Sequence, residues 1–168
     1  FSGLAGINPD TGRVATRLSE VDPEWQKVLL TNRYQTDSAE EPFKAQMSVV
    51  QSYMKRIMES QGSSMNEMLR YNLFQTLNMT EVGTGIALHA HVHKNQMDGP
   101  SVTGFTTGAG QLSGDPNLAL IFDAVGFVPD GPWKRQGEIY PEIVSGPICM
   151  VQKAGPFVFF TGYSGRDR

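Results

Sequence analysis

The sequence is poor in the residues that commonly announce a chemistry. It has one cysteine, Cys149, which excludes an intramolecular disulfide and a cysteine-rich zinc site. No apolar run approaches the roughly 18 to 20 residues that span a bilayer, and no secretory signal pattern is visible. A cytoplasmic location without membrane partners is therefore expected. Charged residues make up only 18%, the net charge is -3 and no basic cluster stands out, so nucleic-acid binding has little electrostatic support. The glycine-rich run Thr103–Gly110 lacks the Lys-Ser/Thr of a phosphate-binding loop and reads as loop near a strand end. What is present is 168 residues with 39% apolar content, enough for one domain with a sizeable core. The chain opens at Phe1, inside what reads as a strand, so residues preceding it are expected.

The patterning predicts an α+β fold with a mixed or mostly antiparallel sheet and helices on one face. Phe1–Gly6 reads as a strand end, and Asn8-Pro9-Asp10-Thr11-Gly12 as a turn. Trp25, Val28, Leu29 and Leu30 suggest a short helix. From Pro42 to Gln61, Phe43, Met47, Val50, Met54, Ile57 and Met58 recur on one face of a 3.6-residue period, with Gly62 suited to the end. Ser64-Met65-Asn66-Glu67 has a capping-box pattern and predicts one further turn. Leu69, Tyr71, Leu73 and Leu77 alternate with Arg70, Asn72, Phe74 and Thr76, as in a strand with one buried face. Residues 80–96 leave helix and strand open. Ser101–Thr107 leans to strand, Leu118–Val125 reads as a central strand, and Val128–Gly146 as a long connection. Ile148–Val151 and Phe157–Thr161 predict a hairpin around Lys153-Ala154-Gly155-Pro156.

Three features could carry chemistry. Asp123 lies in an otherwise apolar strand. It is either a buried carboxylate suited to proton transfer, or it sits near the strand's open edge and accepts backbone N–H bonds. His89-Ala90-His91-Val92-His93 holds every histidine of the chain and could in principle ligate zinc. No Cys or Glu stands at ligand spacing, so a solvated or subunit-contact cluster without metal is the expectation. Cys149 has no base near it in sequence and reads as a buried structural residue.

Several segments, in their order and spacing, resemble the RidA (YjgF) family. Gly146–Gly162 resembles the family's opening hairpin, and Phe1-Ser2-Gly3 with Asn8–Gly12 resembles the stretch that follows it. The helix with residues 62–70, the strand at 71–79, and residues 100–105 and 120–127 match later elements in turn. The resemblance covers most of the chain, the loops at 19–41 and 128–145 being additions. It implies a RidA-like, chorismate-mutase-like α+β domain over residues 1–168. The hairpin that usually comes first lies at 146–163, as in a tandem fragment or a circular permutation; Phe160-Thr161-Gly162 repeats the pattern of Phe1-Ser2-Gly3.

The resemblance also implies a function. Family members form trimers, with pockets between subunits in which an arginine holds a substrate carboxylate. Val102 stands at that arginine's place, Ile148 at the place of a pocket tyrosine, and Asp123 at the place of an acidic residue; Ser2 and Thr161 share a serine position. Cofactor-free hydrolysis of an enamine or imine is implied. Asp123 would carry the proton or hold water, and Val102, Thr103, Gly104, Thr106, Ile148 and Cys149 would line the substrate site, with Thr107 beside them. Because valine cannot bind a carboxylate, weak or no action on 2-aminoacrylate-type imines is expected, unless Arg70, Arg166 or a partner chain supplies the guanidinium. Surface solvation is the commoner fate of such arginines. The alternative is a non-catalytic small-ligand-binding or assembly module. The expected partners are a small molecule and a homotrimer, or a pseudo-trimer with a second RidA-like unit.

Overall fold

The computed structural model describes residues 2–21, 23, 41–76, 103–109, 112, 114–138 and 151–160. The expected short helix at 25–30, the ambiguous stretch 80–96 with its histidines, Leu77, Val102, Ile148, Cys149, Thr161 and Arg166 lie outside them.

The long helix, α1, spans Glu41–Ser60. Phe43, Met47, Val50, Met54 and Met58 form its buried stripe and pack on Met65, Met68, Tyr71, Leu73, Leu120, Phe122 and Ala124. Each such side chain contributes roughly 1.5 to 3 kcal/mol of transfer free energy when fully buried. The expectation that Ile57 joins this stripe fails. It is 40% exposed, because the step of four from Met54 to Met58 keeps the stripe and turns position 57 aside. A second cluster of Ala15, Val21, Ala45 and Val49 covers another side of the helix. The helix ends as its glycine predicts. Gly62 takes φ +71, its amide donates to the Glu59 carbonyl at 3.0 Å, and the Ser63 amide donates to the Met58 carbonyl at 2.9 Å, the paired bonds of a Schellman motif.

The turn after it forms as a 3-10 turn at Met65–Glu67, but without the expected capping box: the Ser64 side chain caps nothing. Glu67 turns away instead to Arg135, at 3.6 Å.

One sheet contains β1 (Leu4–Ala5), β2 (Met68–Thr76), β3 (Thr103–Ala109) and β4 (Leu120–Gly126), in the order β1-β4-β2-β3. It is mixed: β2 runs parallel to β3 and antiparallel to β4, and β1 is antiparallel to β4. The apolar run is thus central, as its composition predicts. A bulge between Met68 and Arg70 buries both Met68 and Leu69, on a strand that otherwise alternates. Gln46 ties helix to sheet. Its amide donates to the Asn117 carbonyl and its oxygen accepts the Ala119 amide, each at 2.8 Å. The predicted turn at 8–12 is built on Asn8, whose side-chain oxygen accepts the amides of Asp10 and Thr11, with Gly12 at φ +66.

A second, antiparallel sheet joins β5 (Arg135–Glu138), β6 (Val151–Ala154) and β7 (Phe157–Phe160). β5 corrects the reading of 128–146 as plain connection: Arg135–Glu138 pairs residue for residue with β6. The hairpin's first strand runs on to Ala154, past the expected end at Val151, because Gly155, at φ +58 and followed by Pro156, fixes a two-residue turn that pairs Ala154 with Phe157.

Candidate functional site on the open face of the sheet

Alternation along β2 and β4 sends Tyr71, Leu73, Phe122 and Ala124 toward the helix and leaves Arg70, Asn72, Phe74, Ile121, Asp123 and Val125 on the opposite face. The antiparallel register pairs Asn72 with Asp123, Arg70 with Val125 and Phe74 with Ile121. A guanidinium, an amide and a carboxylate therefore sit on neighbouring positions of one half-buried surface. The Arg70 Nε donates to the Asn72 Oδ1 at 3.0 Å. Asp123 Oδ1 accepts the amide of Gly3 at 2.6 Å, with Gly3 in the left-handed region at φ +62. The other carboxylate oxygen of Asp123 has no hydrogen bond among the described residues. Such a row can hold an anionic or polar small molecule, orient water and move a proton.

The face runs into a groove of about 500 Å³ at the end of β4, lined by Leu69, Val125, Phe127, Trp133, Phe157 and Phe159. Val125 belongs to both. The Trp133 and Phe157 rings meet edge-to-face at 6.5 Å, and Trp133 lies against Gly155, where a Cβ would stand 2.4 Å from the indole. Arg135 holds this second sheet to the first, with the Glu67 ion pair and a 3.4 Å bond from Nη1 to the Met68 carbonyl. Tyr71 takes no part in the site. It is buried on the helix side, edge-on to Phe122, and burial pushes its phenol pKa well above the usual value.

Of the residues singled out from sequence, Asp123 lies on this face at the edge next to β1, as the backbone-accepting reading had it. Thr103, Gly104 and Thr106 occupy β3 in register with Arg70, Tyr71 and Leu73. Val102, Ile148 and Cys149 fall outside the described residues. Sequence reasoning did not select Asn72 and gave no geometric reason to prefer Arg70. The alternation placed both on the polar side of a strand, but only the pairing of β2 with β3 and β4 brings them beside Thr103 and Asp123. Among the described residues no three His, Cys, Asp or Glu side chains group as a metal site, and no helix is long and apolar enough to cross a membrane.

Two packed layers with a mixed sheet and a helix on one face define an α+β protein. Its fold is similar to that of a candidate endoribonuclease from Klebsiella pneumoniae, with a TM-score of 0.61 at 20% identity over 77% of this chain and 92% of that one. It is also similar to the Escherichia coli YjgF gene product (TM-score 0.47, 17% identity, 74% and 76% of the two chains) and to Escherichia coli TdcF with bound serine (TM-score 0.44, 14% identity, 74% and 76%). The first likeness shows the fold; the other two are too distant to carry an argument. The shared fold agrees with the α+β architecture expected from the patterning. No protein-family model and no curated protein sequence matches the chain.

Proposed function

We propose that the chain is a RidA-like protein that binds a small metabolite on the open face of its sheet and hydrolyses a C=N bond there without a cofactor. The observation that supports this reading best is the row Arg70–Asn72–Asp123, which gathers a cation, an amide and a carboxylate on the adjoining strands β2 and β4. In the proposed reaction Asp123 takes a proton from water as its oxygen adds to the imine carbon. It returns that proton to nitrogen to give a carbinolamine, then carries the hydroxyl proton to the amine as the C=O bond forms and the C–N bond breaks, releasing ammonia and a carbonyl compound. Arg70 meets a carboxylate or other anionic group of the substrate, a task that Val102 cannot perform. Backbone groups near Gly104 and the threonines of β3 hold polar substrate atoms, with Ile148 and Cys149 as apolar wall. The groove beside Val125 accepts an apolar substituent.

A homotrimer, or a pseudo-trimer with a second RidA-like unit, completes the pocket in this reading. The domain is then a unit of a tandem or a permuted arrangement in the cytoplasm. The test is an amino-acid-oxidase-coupled assay that follows imine disappearance. Loss of hydrolysis in both Asp123→Asn and Arg70→Ala, with unchanged melting, supports it.

The second reading is a ligand-binding or assembly module. It is favoured by the fact that one oxygen of Asp123 already holds the Gly3 amide. Metabolite binding without turnover would establish it.

A further inference from the structure

α1 carries a polar row that lies outside the stripe packed on the sheet. Ser48, Ser52 and Arg56 follow one another at steps of four, along one face of the helix. They form one wall of a cavity of about 390 Å³, a size within the roughly 300 to 1,000 Å³ of small-molecule sites. The Asn8–Asp10 turn and the end of the 3-10 turn Leu18–Glu20 supply the facing walls. Val21 and Val49, each 8% exposed, add an apolar part.

Bonds within the protein hold this frame. The Tyr53 hydroxyl donates to the Ile7 carbonyl and Asn8 Nδ2 to the Glu20 carbonyl, each at 3.0 Å. Glu20 Oε2 accepts the Thr16 amide at 3.0 Å, and the Leu18 amide donates to Glu41 Oε1 at 2.9 Å. Walls fixed in this way need little ordering when a ligand enters. Three groups on the cavity take no part in the frame. The Arg56 guanidinium, the Ser52 hydroxyl and the Asp10 carboxylate make no hydrogen bond or ion pair among the described residues. Opposite charges therefore line one cavity without meeting, and each keeps its capacity for a charge-assisted bond.

We propose that this cavity binds a free α-amino acid with a short aliphatic side chain. The ligand's carboxylate meets Arg56 and Ser52, and its ammonium group meets Asp10 and the second carboxylate oxygen of Glu20. Its side chain lies on Val21 and Val49. A zwitterion satisfies both signs of charge, whereas an anion or a cation alone leaves one wall without a partner. Asp123 stands on the face of the sheet away from α1, so a molecule in this cavity is held and not converted by it. The proposal goes beyond the imine reading and does not rest on it.

The test is an amide NMR titration of the full chain with L-valine, beside isovalerate, which lacks the ammonium group, and isobutylamine, which lacks the carboxylate. Saturable shifts with L-valine are expected at residues 8–10, 19–21 and 48–56, and each analogue should bind about tenfold more weakly or worse. Arg56→Gln and Asp10→Asn should each weaken L-valine binding about tenfold. Both side chains are exposed, so melting temperatures should match the parent's. Absence of saturable shifts up to about 10 mM L-valine overturns the proposal. So does equal binding of either analogue to the parent chain, or L-valine binding that survives both substitutions. Shifts confined to the open face and lost with Arg70→Ala also overturn it, while leaving the imine reading intact.

Discussion

The Gly3 amide donates to the Asp123 carboxylate at 2.6 Å, across 120 residues of sequence. The bond fixes the end of β1 with the same group that the proposed chemistry uses. A substitution at Asp123 therefore has a structural and a catalytic part, and the two separate by choice of side chain. Asp123→Ala removes the acceptor and is expected to cost about 1 kcal/mol in urea unfolding. Asp123→Asn keeps an oxygen for Gly3, costs less, and still removes the base.

Val50 is fully buried in the seam between α1 and the sheet. Val50→Asp places an unpaired charge there and is expected to cost about 4 kcal/mol or more. A soluble variant with the parent's melting temperature would contradict the packing described.

Gly155→Ala is expected to destabilise for two reasons. The residue has φ +58, and its Cβ would meet the Trp133 ring. A loss of about 1 to 3 kcal/mol is expected, with altered tryptophan fluorescence from the displaced indole. By contrast, Glu67→Gln touches only a partly exposed ion pair at 3.6 Å and should cost less than about 1 kcal/mol.

Tyr71 sets an alkaline limit on stability. Burial raises its pKa in the folded state well above a phenol's ordinary value of about 10, so the unfolded chain loses the phenol proton first. The folded state keeps this contribution below pH 10 and loses it as pH rises above that value. Tyr71→Phe should flatten the alkaline limb of a stability–pH curve measured by denaturant unfolding.

The helix, its glycine end and the central strand were legible because each depends on local periodicity and on one special residue, Gly62. The ends of the hairpin were less so, since a glycine's turn position is set by pairing that sequence alone does not show. β5 was missed because Arg135–Glu138 has no apolar alternation; it is a strand only because β6 offers it a ladder. Within the site, Asp123 stood out as a charge in an apolar run. Arg70 and Asn72 did not, because a polar residue facing outward from a strand looks the same in sequence whether it meets solvent or a functional neighbour. The parallel pairing of β2 with β3 and the antiparallel pairing with β4 make that distinction.

The most direct test of the account is imine disappearance in the oxidase-coupled assay, with the purified chain, Asp123→Asn and Arg70→Ala side by side. The account predicts slow hydrolysis by the parent chain, at least tenfold lower kcat/KM in each variant, and melting temperatures close to the parent's. Hydrolysis unaffected by Asp123→Asn, or none with any imine whether carboxylated or neutral, would contradict it.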